Sequence, residues 1–319
     1  MTLTVADAAL NSASDTMRVI ARDITPPSVN AGPDASVNED AVFTFSGSGT
    51  TDNDPTFATN GRYYWTFSDN NVSRTLAGKT PTYTFATPGI YLVTLVVFDA
   101  TGNFASDGVD ITVNDITPPA AVITGGSAQS FNEDASKTMD ASSSTDNDPS
   151  FAPSARYYWT FTDGTAKNLS GQAVSYTFAN PGSYSITLSV MDLAGNTGTA
   201  TSTFTVLDVT NPVASRTFNA SFDEDSLQTL DGTGSTDNVG VVSWAWAIED
   251  VGGLSARSGQ VVTYKWATPG TFEVTLTVMD AAGHTTVAQH EVKVLDVTAP
   301  VGDGEVPSSA SEGVEVTFS

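Results

Sequence analysis

RYYWTF, at residues 62–67, sets Tyr63, Trp65 and Phe67 on alternate positions, and such alternation is typical of a strand with one buried face. Similar β-rich runs occupy residues 41–45, 83–85, 91–98 and 109–113, and clusters of Gly, Pro, Asn and Asp separate them. No stretch of the sequence has a convincing helical period. The residues from 26 to 115 therefore predict short strands joined by tight turns.

About seven strands in roughly 90 residues predict an all-β, immunoglobulin-like sandwich. The predicted strands are A near 28–37, B at 41–47, C at 62–67, a short D near 74, E at 82–86, F at 90–98 and G at 108–114. Trp65 lies centrally in strand C, and Trp159 and Trp246 fall at the corresponding places. We interpret these three tryptophans as core residues.

The same pattern is repeated along the chain. The linker DITPP at 23–27 returns in related form from Asp115, Asp208 and Asp296, at spacings of 92, 93 and 88 residues. A constant period of this length predicts tandem β-sandwich domains in a linear array. The predicted units are a partial repeat at 1–25 (strands F and G), complete repeats at 26–115, 116–208 and 209–296, and a partial repeat at 297–319 (strands A and B). Because isolated strand pairs are marginal in water, we interpret the chain as a window from a longer array, with strand exchange between molecules as the alternative.

Composition excludes several classes of function. Thirty-six acidic residues against 12 basic ones give a formal charge of −24, which argues against binding nucleic acid or anionic membranes. With no cysteine the chain has no disulfides, and with only two histidines it is a poor candidate for transition-metal sites. No apolar run has the length of a membrane span and Met1 begins no signal peptide, so we expect no direct membrane insertion. Three N-x-S sequons, at Asn71, Asn168 and Asn219, favour an extracellular, cell-surface location with N-glycans as partners.

Three groups of motifs resemble the PKD (polycystic kidney disease-type) repeat. The run YYWTFSD at 63–69 is followed by a Pro-Gly turn at 88–89 and by a long strand F that ends at Asp99. The second repeat keeps WTFTDG at 159–164, whereas the third has WAIED at 246–250 and departs from the motif. The resemblance covers almost the whole chain, and it implies an immunoglobulin-like fold and extracellular display. The Asp-x-Thr-x-Pro linkers are also similar to those of archaeal surface-layer proteins and large microbial adhesins.

Sandwich topology predicts where the carboxylates gather. Strands alternate in direction, so the B–C and F–G loops share the pole where the preceding linker enters. The A–B and E–F loops share the opposite pole, beside the following linker. Acidic and amide side chains of two successive repeats are therefore expected to meet at each linker. The candidate ligands are Asp23, Asp52, Asp54, Asp99 and Asn103 at the first linker, Glu39, Asp40, Asp115, Asp146, Asp148, Asp192 and Asn196 at the second, and Glu133, Asp134, Asp208, Asp237, Asn238 and Asp280 at the third.

Like charges within several ångströms of one another repel and raise one another's pKa, so the clusters require a compensating positive charge. Ca²⁺ is the predicted cofactor because it accepts 6–8 oxygen ligands with tolerant geometry, and it would stiffen the array. The third repeat is the weakest case, with Val239 in the place of Asp54 and His284 in the place of Asn103. The alternative is that these residues are ordinary turn formers, and that each linker Asp only accepts hydrogen bonds from the backbone ahead of Pro.

Three functions fit these features. The first is a non-enzymatic structural protein of a surface layer, sheath or filament, archaeal or bacterial, whose partners are cations and copies of itself or other surface-layer subunits. The second is an adhesin or carbohydrate-binding stalk, which requires exposed aromatic side chains such as Tyr63, Tyr157 or Trp244. The third is an accessory segment of a secreted hydrolase. The sequence contains no catalytic Ser-His-Asp spacing and no Gly-rich phosphate loop, so we predict no enzyme activity in this segment.

Overall fold

The computed structural model describes residues 1–301, and within them almost all regular structure is β-strand. No helix in this part of the chain has the length and apolar character needed to span a membrane. Strands A and B of the last partial repeat, predicted within residues 297–319, fall almost entirely outside the described residues. The described chain divides into two compact units. One comprises residues 1–127, 138–175 and 185–203, and the other comprises residues 128–137, 176–184 and 204 onward.

The first unit begins with an antiparallel hairpin at the place predicted for strands F and G of a partial repeat. Its strands are β1 (Thr2–Ala6) and β2 (Ser12–Thr16), with Thr2 opposite Thr16. The Asp7 carboxylate closes the turn, since its Oδ1 accepts hydrogen bonds from the backbone N–H groups of Ala9 and Asn11, each at 2.9 Å.

The first repeat is a sandwich of a five-stranded and a two-stranded sheet. Its elements are β3 (Ala35–Asn38), β4 (Val42–Thr44), α1 (Phe57–Asn60), β5 (Arg62–Asp69), β6 (Val72–Ala77), β7 (Thr82–Thr84), β8 (Gly89–Phe98) and β9 (Phe104–Asn114). The larger sheet has the order β3-β9-β8-β5-β6, with β3 parallel to β9, and the smaller sheet pairs β4 with β7. The predicted all-β sandwich is confirmed.

Strand β6 differs from its predicted role. It was expected as a D strand, but it pairs with β5 (strand C) and extends the five-stranded sheet, with Leu76 opposite Trp65. The cause lies in the turn, where Asn70 and Asn71 both have positive φ, of 50° and 62°. Positive φ at both central residues is the requirement of a tight hairpin, which returns the chain beside the strand it has just left.

The first repeat buries the alternating face of β5. Trp65 is fully buried, and its Nε1 donates a hydrogen bond to the carbonyl oxygen of Gly78 at 3.2 Å. Phe45 and Phe85 fill the space around it, with the Phe45 ring centred 5.0 Å from that of Trp65. The prediction of a core tryptophan is confirmed. Tyr63 is 8% exposed and belongs to this core, so its candidacy as a surface aromatic for sugars is wrong.

The second repeat follows the same element order. Its elements are β10 (Ala128–Asn132), β11 (Ser136–Asp140), α2 (Phe151–Ser154), β12 (Arg156–Asp163), β13 (Thr165–Ser170), β14 (Ala173–Thr177), β15 (Gly182–Met191) and β16 (Thr197–Leu207). Within the first unit, β12 pairs antiparallel with β13 and β15. Trp159 is fully buried and donates to the carbonyl of Gly171 at 3.0 Å. Tyr157 is also buried, which removes it as a surface aromatic.

The third repeat lies in the second unit and has no helix among its described residues. Its strands are β17 (Ser221–Asp223), β18 (Leu227–Asp231), β19 (Val241–Asp250), β20 (Gly253–Ser258), β21 (Val261–Lys265), β22 (Gly270–Asp280) and β23 (Thr285–Leu295). The larger sheet has the order β17-β23-β22-β19-β20, and β18 pairs with β21. Trp246 is buried and donates to the carbonyl of Gly259. Trp244 is half-buried, packs against this core and donates to the Gly232 carbonyl, so part of its ring covers the core.

Candidate metal centres at the linkers

Each linker Asp uses one of its carboxylate oxygens to hold the linker backbone. Oδ1 of Asp23, Asp115 and Asp208 accepts the N–H of the Thr two residues later, at 3.0, 3.1 and 3.1 Å. This is the turn role that the sequence predicts as the alternative to metal binding. The other oxygen, Oδ2, is buried in all three residues and has no hydrogen-bond partner in the described chain. The turn role therefore accounts for one oxygen of each carboxylate and leaves the other oxygen unexplained.

The first linker cluster consists of Asp23, Asp52 and Asp99, whose carboxylates supply one oxygen each within 4.8 Å of one another. Asp52 lies between β4 and α1, and Asp99 follows β8, so the B–C and F–G loops do meet at the preceding linker. Oδ2 of Asp52 is buried without a partner, like that of Asp23. Both Asp99 oxygens are occupied, because Asn103 donates its side-chain amide to Oδ2 at 2.6 Å and its backbone N–H to Oδ1 at 2.8 Å.

The second linker cluster consists of Asp115, Asp146 and Asp192, and all three have a buried Oδ2 without a hydrogen-bond partner in the described chain. Asp192 is the most buried, at 3% exposure, and its Oδ1 accepts the backbone N–H groups of Gly195 and Asn196 at 2.6 and 2.8 Å. The Asn196 side chain donates to the Asp115 carbonyl at 3.4 Å. This cluster thus holds three carboxylates whose free oxygens have been withdrawn from solvent.

Electrostatics in the second linker cluster disfavour the ionised form. Burial, and then the negative charges of Asp192, Asp146 and Glu39, raise the pKa of Asp115 to about 6. Burial, together with the charges of Asp192, Asp148 and Glu39, likewise raises the pKa of Asp146. A cation placed among these oxygens would offset the repulsion and favour the ionised form of Asp115 and Asp146.

The third linker cluster consists of Asp208, Asp237, Asp280 and His284. One ligand atom each from Asp208, Asp280 and His284 lies within 4.8 Å of the others. Asp208 Oδ2 and Asp237 Oδ1 are buried without a hydrogen-bond partner in the described chain. His284 Nδ1 lies 2.9 Å from Asp280 Oδ2. In the first cluster the equivalent contact is made by the side-chain amide of Asn103 with Asp99. Burial and the charges of Asp237, Glu133 and Asp280 raise the pKa of Asp208.

A second device, here called the glutamate clamp, joins each repeat to its following linker. It consists of Glu39, Glu133 and Glu224, which lie in the A–B turns and are 1%, 4% and 8% exposed. Oε1 of Glu39 accepts the N–H groups of Ile116 and Thr117 at 3.0 and 2.8 Å. Glu133 and Glu224 bind residues 209–210 and 297–298 in the same way.

The clamp also reaches the next repeat through an asparagine. Oε2 of Glu39 accepts a hydrogen bond from the side chain of Asn147, and Oε2 of Glu133 accepts one from Asn238 at 2.6 Å. Asn147 also donates to the Ala86 carbonyl, in the loop between β7 and β8. The A–B and E–F loops of one repeat therefore meet the B–C loop of the next, as the predicted poles require.

The structure does not bring every candidate ligand into a cluster. Asp40 and Asp134 are exposed with φ of 57° and 58°, and neither is among the residues of 1–301 with a buried, unpartnered carboxylate oxygen. Their short polar side chains suit the left-handed turn that follows the clamp. Asp54 and Asp148 lie at the cluster edge, where they accept hydrogen bonds from Thr56 and Ser150 at the starts of α1 and α2.

Sequence reasoning missed three residues of these sites. Asn147 and Glu224 were absent from the candidate ligands, although each aligns with a residue of another repeat that was considered. His284 was noted only as a replacement for asparagine. The missing signal was the alignment of the repeats with one another, which places Glu224 with Glu39 and Glu133 in equivalent turns.

Comparison with known proteins agrees with the internal repeats. A family model described as "PKD domain" matches residues 24–113, 117–206 and 209–294. The chain is also similar to the human CDH23 EC21-23 crystal structure, at 13% identity and a TM-score of 0.45, with 85% of this chain and 100% of that one covered. A structure of PcdhgB3 EC1-4 gives 15% identity and a TM-score of 0.43, with 93% of this chain and 83% of that one covered. A structure of a 1.5-MDa bacterial ice-binding adhesin gives 16% identity and a TM-score of 0.29, with 86% of this chain and 100% of that one covered. Structural similarity at this level carries no functional information.

Proposed function

The chain belongs to the PKD domain family, and from that premise we propose that it is a non-enzymatic structural segment of a cell-surface array, stiffened by Ca²⁺ at its linkers. Tandem repeats of this family form extracellular structural or adhesion-type modules. The finer assignment, to a surface layer, sheath or filament, is supported by three repeats with the same linker chemistry and by the strongly acidic composition. A charge of −24 would concentrate cations and keep the array soluble.

One observation carries the calcium proposal: the free Oδ2 of Asp192, in a side chain that is almost completely buried. A buried carboxylate oxygen without a partner is unfavourable, because it has lost its hydration and gained nothing in exchange. Asp115 and Asp146 contribute two further such oxygens to the same cluster. A cation bound among these residues would supply the partner that such oxygens lack.

The donor set fits Ca²⁺ better than Mg²⁺ or a soft metal. Carboxylate and carbonyl oxygens are the ligands of Ca²⁺, which tolerates irregular arrangements, whereas Mg²⁺ demands near-ideal octahedral geometry. Asp115, Asp146 and Asp192 would hold the ion in the second linker cluster, and Asp23, Asp52 and Asp99 would hold it in the first. The ion would join a linker to two loops of the repeat that follows, on top of the bonds of the glutamate clamp.

The sequons are compatible with surface display. Asn71, Asn168 and Asn219 are all exposed, so each side chain is open to a glycosyltransferase. Their modification remains part of the proposal.

The test is calcium-dependent unfolding of matched variants. D146N removes one charge from the second linker cluster while its side-chain carbonyl keeps the bond to the Asp148 N–H. Calcium at ten times its dissociation constant should add about 1.4 kcal/mol per site to the free energy of unfolding. D146N should lose the increment that comes from the second linker cluster. The control is D40N, which removes the same charge from an exposed turn residue. If unfolding of the wild type is the same in Ca²⁺ and in EGTA, calcium is absent from the function.

Adhesion is a second candidate, because the first repeat has an exposed aromatic group on its larger sheet. Phe104 is 61% exposed, its ring is centred 5.2 Å from that of Phe98, and Tyr64 meets Phe98 edge-on at 6.1 Å. In the other repeats Thr197 and Thr285 take the place of Phe104. A structural subunit should assemble into regular arrays with calcium, visible in micrographs. An adhesin should stay monomeric and bind glycans in a way that F104T abolishes.

A further inference from the structure

The third linker cluster differs from the others in chemistry. In the first cluster the residue that contacts the F–G aspartate is Asn103, whose amide nitrogen donates a hydrogen bond and has no lone pair for a metal. In the third cluster the same place holds His284, whose Nδ1 lies 2.9 Å from Asp280 Oδ2. A neutral imidazole is a metal ligand in its own right.

We propose that Asp208, Asp280 and His284, assisted by Asp237, form a site for a borderline divalent metal ion of the Zn²⁺ class. The histidine count of the whole chain argues against such a site, but the fold brings this one histidine to the carboxylates of Asp208 and Asp280. Ligand atoms of Asp208, Asp280 and His284 lie within 4.8 Å of one another. Ligands of one tetrahedral Zn²⁺, at about 2.0–2.2 Å from the ion, are about 3.3–3.6 Å apart, so side-chain rotations would have to bring these atoms closer by about 1 Å at most.

Burial supports a bound ion at this position. Asp280 is 1% exposed, and Asp208 Oδ2 and Asp237 Oδ1 are buried without a hydrogen-bond partner in the described chain. The His284 side chain keeps 31% exposure, which leaves a path to solvent for metal entry. His284 is also the one basic side chain in contact with a carboxylate of this cluster in the described residues. A dication would neutralise carboxylates that the imidazole alone leaves uncompensated.

Ligand type is what distinguishes this site from a calcium site. Zn²⁺, Cu²⁺ and Ni²⁺ favour imidazole nitrogen, whereas Ca²⁺ favours oxygen alone. Three or four nitrogen and oxygen ligands suit tetrahedral Zn²⁺, and the imidazole is the ligand that the first and second clusters lack. The inference stands apart from calcium at the other linkers, and either can fail alone.

The experiment is a Zn²⁺ titration of the chelator-treated chain by calorimetry, with millimolar Ca²⁺ present throughout to fill the oxygen sites. The wild type should bind one Zn²⁺ per chain that calcium does not displace. H284N, which installs the residue that the first and second repeats carry at Asn103 and Asn196, should fold normally and lose at least the 10–100-fold in Zn²⁺ affinity that removal of an outer-shell partner typically costs. Its response to calcium at the other linkers should be unchanged.

Two controls identify the ligand. H290Q removes the other histidine, which lies on β23 and packs against Phe218. This variant should leave Zn²⁺ binding intact. Substitution with Co²⁺ should give the visible absorption of a tetrahedral nitrogen–oxygen site in the wild type and none in H284N. Equal Zn²⁺ affinity in the wild type and H284N, or a loss in H290Q as large as in H284N, would overturn the proposal.

Discussion

Glu39 shows at the scale of one residue how a repeat is joined to its linker. A buried carboxylate usually needs a cation or several donors, and this one receives two backbone N–H groups and a side-chain amide. Burial alone would raise its pKa, but the bonds from Thr117, Ile116 and Asn147 together lower it. Glu39 is therefore ionised and fully bonded without a metal, in contrast to the aspartates beside it.

Asp115 gives a pH dependence of the opposite sign. Its pKa of about 6 in the folded chain lies above the ordinary value of 3.8, so its contribution to stability is complete below pH 4 and is lost as the pH rises through 6. D115N keeps the acceptor for the Thr117 N–H but has no charge to bury. In metal-free buffer we expect D115N to gain stability relative to the wild type between pH 4 and pH 7.

The measurement is the thermal unfolding midpoint of both proteins at several pH values after removal of divalent ions. Acids away from this cluster are common to the two proteins, so their titration cancels in the difference, whereas the difference includes the relief of Glu39, Asp146 and Asp192 from the Asp115 charge. Parallel curves for the wild type and D115N would show that Asp115 is not strained by its neighbours. Excess Ca²⁺ should reduce the difference or reverse its sign, because the wild-type carboxylate then has a partner.

The sequence predicted which residue types would gather at the linkers, but it did not separate their roles. Strand alternation and loop poles are enough to bring Asp115 and Asp192 to one place. Whether an oxygen is free or bonded depends on sub-ångström positions of backbone N–H groups, which no residue pattern contains. Glu39 and Asp115 were for this reason predicted as equivalent ligands, although Glu39 is saturated by the backbone and Asp115 is half free.

At the scale of elements, strand F is anchored by a tyrosine near its start. Tyr91 Oη donates to the carbonyl of Thr87 at 2.7 Å, and Tyr184 makes the same bond to Asn180. Such a tyrosine corner is typical of immunoglobulin-like sandwiches. Burial, and then the charge of Asp69, raise the pKa of Tyr91 to about 12, so the hydroxyl remains a donor at alkaline pH.

Removing this hydroxyl should weaken one repeat without changing its fold. We expect Y91F to lower the opening free energy of the first repeat by about 1–2 kcal/mol, since a partly buried carbonyl loses its donor. Phenylalanine fits the site, because Phe272 occupies it in the third repeat. Native-state hydrogen exchange of the amides in β5 and β8 measures the effect repeat by repeat. Unchanged exchange there, or an equal change in the third repeat, would contradict this role.

The strands were more predictable than the short elements between them. Alternation over residues 62–67 marked β5 because period 2 is enforced by one buried face. The one-turn helices α1 and α2 have only four residues each, too few to show a period, and a single buried aromatic anchors each of them, Phe57 or Phe151. The pairing of β6 with β5 depends on two positive φ angles at Asn70 and Asn71, which Asn permits but does not require.

At the scale of the whole molecule, the repeats act as internal comparisons. All three keep the core tryptophan and the glutamate clamp. The linker clusters vary around that constant frame, with Asn103 and Asn196 in two repeats and His284 in the third. A substitution in one loop, such as histidine for asparagine, would change the ion at one linker and leave the sandwich intact. The reason is that the ligands lie in loops and the core lies in strands.

The most direct test of the central claim, that cations hold the linkers, is hydrogen exchange of the Thr117 and Thr210 amides in Ca²⁺ and in EGTA. Both N–H groups are bound by a clamp glutamate and by a cluster aspartate. We predict slower exchange of the Thr117 amide in Ca²⁺ for the wild type and no calcium effect there in D146N, while core amides of β5 stay unchanged in both. Equal exchange of the wild-type linker amides with and without Ca²⁺ would contradict the account.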